Sequence, residues 1–155
     1  MRRIFLVGLL ATALATLSLY GQTAERLGEM LAKDAISLQD AAYILLAASG
    51  DVPAHFSAAR AYQHLQQKME YYQPKLGDTQ ATIADISLIG MTAFEVPKGL
   101  IQSLFNIPRY AFRTSRYRGI IGKNSNPSDP VSGQMALQLA SRFEEYVKAG
   151  RPAKM

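Results

Sequence analysis

Between Ser37 and Gly50 the chain carries a stretch, Leu38 to Ser49, in which Ala41, Ala42, Ile44, Leu45, Leu46 and Ala48 leave a helix almost no polar side. A helix that is apolar nearly all round is stable in water only when other elements surround it. The stretch therefore predicts a central helix and demands a fold with enough partners to cover it. Ser37 is placed to cap its start and Gly50 to stop it, with Asp51-Val52-Pro53 as the turn beyond. At 155 residues the length suits one domain, and 48% hydrophobic against 19% charged residues supplies material for a core. That balance excludes collagen-like, low-complexity and wholly disordered chains. With no Cys, disulfides, thiolate zinc sites and cysteine nucleophiles are excluded, and burial must hold the fold.

The partners of that helix are also helical in pattern. Thr23 caps a helix to about Lys33 with Leu27, Met30 and Leu31 at helical spacing and Glu25 in its first turn. Ser57 caps another through about Tyr71, with Ala61, Tyr62, Leu65 and Met69 inward and Gln63, Gln66, Gln67 and Lys68 mostly outward. Thr82 begins a fourth, carrying Ile83, Ile86, Leu88, Ile89, Met91 and Phe94. Leu100, Ile101, Leu104 and Phe105 form a short apolar turn or helix, and Pro108 opens the next element. Ser132 caps a last helix with Met135, Leu137, Leu139, Ala140 and Phe143 as its apolar residues. Loops are expected near 73–81 and 122–131 and a frayed tail at 151–155. Only Tyr110 to Ile121 hints at strand alternation. The expectation is an all-α domain over 22–150, five or six short helices around one core that includes Leu45, Leu65, Ile86, Ile89, Leu104 and Leu139. One internal echo, Ser37 to Leu45 against Ser57 to Leu65, has no third copy at a constant period.

Residues 1–21 have the anatomy of a secretory signal peptide: Arg2 and Arg3, the apolar run Ile4 to Leu10, then a softer stretch to Tyr20. Ala13 and Ala15 offer one cleavage site and Gly21 a second. The rival is an uncleaved anchor, but Ile4 to Tyr20 is at the short end of the ~17–25 residues that span a bilayer. The expected location is therefore the periplasm or cell envelope.

Removing that segment leaves 15 basic against 12 acidic side chains, unevenly placed. Lys98, Arg109, Arg113, Arg116, Arg118 and Lys123 fall between Pro97 and Pro127 without one Asp or Glu. If the element after Pro108 is helical, Arg109, Arg113 and Arg116 stand at i, i+4 and i+7 on one face, with Tyr110, Thr114 and Tyr117 on the neighbouring face. Such guanidiniums bind oxyanions through paired donors, and tyrosines add flat contact area. The competing arrangement pairs them within the fold, with Glu25, Glu29, Glu70, Glu144 or Glu145. Basic residues interleaved with aromatics also suit nucleic acid, which export argues against.

Catalytic constellations are sparse. His55 and His64 stand nine apart and in no metal-binding motif; Pro53 works against a helix that would bring Asp51 to His55. No G-x-S-x-G elbow is present, and no cofactor motif. Asp40 and Asp85, on apolar helices, are the carboxylates most exposed to a burial-driven rise in pKa and so the residues of an alternative reading, a small envelope enzyme such as a wall hydrolase.

The pieces Ala41-Ala42-Tyr43, Pro108-Arg109-Tyr110-Ala111 and Val131-Ser132-Gly133 resemble those of small exported helical envelope proteins of spirochaetes. The resemblance implies a periplasmic or outer-envelope setting and brings no catalytic residues. The expected function is non-catalytic: an interaction or structural protein that docks through Arg109, Arg113, Arg116 and Arg118, with Tyr110 and Tyr117, on an envelope protein, an anionic polymer or the surface of a membrane.

Overall fold

Three helix starts lie side by side and set the architecture. The computed structural model describes residues 24–69, 75–98, 103 and 106–150. The signal segment, the Thr23 cap, Tyr71, the apolar turn at Leu100, Ile101, Leu104 and Phe105, and the tail at 151–155 lie outside the described residues. Those described form six helices and no strand. α1 covers residues 24–31, α2 Leu38–Ala48, α3 Ala58–Lys68, α4 Ile83–Ala93, α5 Pro108–Tyr117 and α6 Gly133–Lys148. The fold is all-α, as the periodicity predicts, and Tyr110 to Tyr117 is helix, not strand.

Immediately before α2, α4 and α6 stand Ile36, Ala81 and Val131, all fully buried. Their backbones close a ring: the Ile36 N–H donates to the Val131 carbonyl (2.9 Å), the Val131 N–H to Ala81 (3.2 Å), and the Ala81 N–H to Ile36 (2.9 Å). The next turn repeats the pattern. The first helical N–H of each, at Leu38, Ile83 and Gly133, donates to the carbonyl of Thr79, Asp129 and Lys33 respectively, at 2.9–3.0 Å. The caps Ser37, Thr82 and Ser132 accept from the third N–H, at Asp40, Asp85 and Met135. A helix start leaves four amides without an internal partner, and burying them unpaired is costly. Here the ring of loops and the cap side chains pair all four at α2 and α4 and the Gly133 and Met135 amides at α6, giving an approximate threefold arrangement.

The internal repeat is therefore Ser37, Thr82 and Ser132, and not the Ser37–Ser57 echo. Their spacings, 45 and 50 residues, hide it from a constant-period search.

α2, α4 and α6 pack mutually below the ring, with α3 against α2 and α4, and α5 against α4. Two glycines permit the closest approaches. A Cβ at Gly133 would sit 2.1 Å from the Met30 carbonyl oxygen, so α1 can seat its end on the start of α6 only because no side chain is there. A Cβ at Gly90 would meet the Phe143 ring at 2.3 Å, where α4 crosses α6. That ring stacks on Phe94 with centroids 5.9 Å apart.

The core contains Leu45, Leu65, Ile86, Ile89 and Leu139 as expected, and α2 is buried on nearly every side. α6 departs from expectation: its inward stripe is Ala136, Leu139, Ala140 and Phe143, at i, i+3, i+4 and i+7. Met135 and Leu137 fall off that stripe and are 39% and 41% exposed. Because Leu45 is completely enclosed, Leu45→Ala is expected to cost roughly 2–5 kcal/mol in urea denaturation. A loss below about 0.5 kcal/mol, the surface range, would contradict its central place.

Candidate anion-binding surface

α5 forms because Pro108 occupies its first position, where the missing N–H costs nothing, and because Ala111, Phe112 and Ser115 recur at helical spacing facing inward. Burying that side leaves the other residues outward. Arg109, Arg113 and Arg116 are exposed on one face, and Tyr117 beside them is 73% exposed. At 1.5 Å of rise per residue the three guanidiniums line about 10 Å of helix. Tyr110 and Arg118 are half-buried.

Among the described residues none of the four arginines forms an ion pair. Glu144, one expected partner, is held by Lys148 at 2.6 Å, and Glu70 lies outside the described residues. Arg116 instead stands over the Phe112 ring, 5.3 Å from its centroid, and Arg118 over Tyr146 at 5.7 Å. Contacts with a ring face leave guanidinium N–H groups available to an oxyanion. At its N-terminal end the stripe borders a groove of about 590 Å³ whose lining sets Arg109 beside the paired Lys75 and Asp85.

The carboxylates do different work. Asp40 and Asp85 are buried, 6% and 2% exposed, as their apolar surroundings imply. Each is the third residue of its helix and accepts from the backbone of its own cap, Ser37 or Thr82. Each also holds a lysine: Lys33 at 2.8 Å from Asp40, and Lys75 at 3.0 and 3.1 Å from the two oxygens of Asp85. The Thr82 hydroxyl donates to Asp85 as well, at 2.7 Å. These are capping boxes closed by a cation, which bonds both oxygens of Asp85 and the Oδ2 of Asp40.

Lys75 is itself positioned by Tyr62, whose hydroxyl donates to the Lys75 carbonyl at 2.7 Å. Burial pushes the Tyr62 hydroxyl above its ordinary value of 10.0, so it remains a donor through neutral pH. Asp51 does not reach His55. It takes Lys68 at 2.6 Å and His64 at 3.6 Å, while His55 is exposed, edge-on to Phe56.

What the sequence reasoning missed is the role of the two aspartates. The signal was present in Ser37-Leu38-Gln39-Asp40 and Thr82-Ile83-Ala84-Asp85, each an S/T-x-x-D cap. Comparison of the chain with protein-family models, curated proteins and solved structures finds no match. The functional reading therefore rests on the residues and their placement.

If Asp85 serves the fold, Asp85→Ala removes a buried acceptor of four contacts and is expected to lower stability by about 1–3 kcal/mol. Arg113→Ala, on the open face, should stay within about 0.5 kcal/mol of the parent. Equal losses in urea denaturation would contradict this division of labour.

Proposed function

We propose that this chain is a non-catalytic interaction protein of the cell envelope that docks through the arginine face of α5 on an anionic surface or acidic partner. The single observation carrying the reading is that Arg109, Arg113 and Arg116 stand exposed on one helix face with no acidic partner among the described residues. A fold that commits Asp40, Asp85, Asp51 and Glu144 to lysines and leaves Arg109, Arg113 and Arg116 without an acidic partner among the described residues has a surface suited to meet charge supplied from outside.

The envelope setting is supported by the Arg2-Arg3 start and the short apolar run after it. An exported chain meets phospholipid headgroups, anionic polymers and acidic faces of other envelope proteins. Among the described residues no helix is long and apolar enough to cross a membrane, and the proposed membrane contact is peripheral.

Binding of the purified protein to vesicles carrying an anionic phospholipid should weaken as salt rises from about 50 to 500 mM, because exposed charges are screened over about 10 Å at 0.1 M. Arg113→Glu should weaken it further at every salt concentration. Crosslinking in the native envelope, comparing the parent with an Arg109/Arg113/Arg116 triple Ala variant, extends the test to protein partners. Equal capture of the same partners by both would overturn the reading.

A further inference from the structure

A pocket of about 430 Å³ lies where the end of α5 meets the C-terminal half of α6. Arg118, Gly119 and Ile120 form one wall; Arg142, Glu145 and Tyr146 form the other. The volume falls within the range of small-molecule sites. The Arg118 guanidinium rests over the Tyr146 ring, 5.7 Å from its centroid. Its Nη1 is shut off from solvent and has no hydrogen-bond partner.

A guanidinium beside a helix end commonly caps carbonyls, but here three of the last four are already paired. Thr114 accepts from the Arg118 N–H at 3.0 Å, Arg116 from Gly119 at 3.1 Å, and Ser115 from Ile120 at 3.0 Å and Ile121 at 3.3 Å. Nor does Arg118 or Arg142 form an ion pair among the described residues; Glu145 shares the lining but lies beyond pairing distance of both. Nη1 has no accessible surface and cannot be reached from the pocket; the side of the half-buried Arg118 guanidinium that lines the pocket is the one a ligand can bond, and among the described residues no carboxylate pairs with it.

We propose that this pocket binds a phosphodiester group, gripped by Arg118 and Arg142. The proposal rests on the docking reading and deepens it, by naming the chemical group within the anionic surface that is recognised individually. Two guanidiniums delivered by different helices reach a ligand from two directions. That arrangement suits the two non-bridging oxygens of a tetrahedral phosphate better than one planar carboxylate, which a single arginine fork already satisfies. Two arginines and one glutamate leave a formal lining charge of +1, which a singly charged diester neutralises. A doubly charged monoester would face Glu145 with charge to spare. The uncovered part of Tyr146 and the exposed Ala149 provide apolar lining for the carbon groups esterified to the phosphate.

Two sources present this chemistry, the headgroup of an anionic phospholipid and a soluble glycerol phosphodiester. The protein is titrated with glycerophosphoglycerol at constant ionic strength and followed by NMR. The expected result is a saturable shift at the Arg118 side-chain N–H and the Gly119, Ile120 and Tyr146 amides. Arg118→Gln should weaken it at least about tenfold. Arg142→Gln, at an exposed position, should weaken it without risk to the fold. A shift that fails to saturate, that is unchanged in both variants, or that centres on Arg109, Arg113 and Arg116 would overturn the site.

Phosphatidylglycerol vesicles separate the sources. A lipid source predicts that Arg118→Gln weakens vesicle binding at fixed salt; a soluble source predicts saturable headgroup binding with vesicle binding unaffected. The Arg109/Arg113/Arg116 triple Ala variant separates this proposal from the docking reading. If it binds vesicles as well as the parent, docking fails while a saturable pocket stands. If vesicle binding depends on the stripe and the headgroup does not saturate, docking stands and the pocket fails.

Discussion

The ring of three backbone hydrogen bonds joining Ile36, Ala81 and Val131 is the constraint on which the rest of the structure depends. Each of its amides is buried next to a helix start, where water cannot substitute for a missing acceptor. Closing the ring fixes the directions of α2, α4 and α6 together, and their packing then encloses α2, the helix with no polar face to spare. The same loops supply carbonyls for the first helical amides, and Ser37, Thr82 and Ser132 complete the accounting with their side chains. Gly133 belongs to this arrangement, because any side chain there would push α1 off the start of α6.

The ring also decides which charges remain for function. Asp40 and Asp85 are drawn into the caps of α2 and α4, and Lys33 and Lys75 follow them. With those helix starts filled by loop carbonyls, cap side chains and carboxylates, the positive surface left to an outside anion comes from side chains. α5, which packs on α4, turns Ala111, Phe112 and Ser115 inward and Arg109, Arg113 and Arg116 outward. Exposed like charges along one helix weaken it only modestly, so a stripe of this kind costs the fold little.

Much of the fold was legible in the sequence because capping and burial are local signals. Ser37, Ser57, Thr82 and Ser132 were readable as helix starts, and the all-round apolarity of α2 required a central place. Assembly was less legible, since the repeat lies in the loops before the caps, where its shared content is a small or branched apolar residue followed by Ser or Thr. Irregular spacing and the Ala-Tyr echo on α3 masked it. Met135 and Leu137 were misplaced for a related reason: hydrophobicity alone did not show which stripe of α6 meets Gly90, and the small residues Ala136 and Ala140 face the core. Of the site, the shared face of Arg109, Arg113 and Arg116 followed from spacing. The stacking of Arg118 on Tyr146 joins residues far apart in sequence and required the fold.

Amide hydrogen exchange at Ile36, Ala81 and Val131 tests the central claim most directly. If the ring holds the three helices together, these amides open only when the whole domain unfolds. Their exchange should then report the same free energy as global urea denaturation, and destabilising the core should lower it by an equal amount. Exchange of the three through a low-energy local opening, unresponsive to urea while the amides of α2 remain protected, would contradict it.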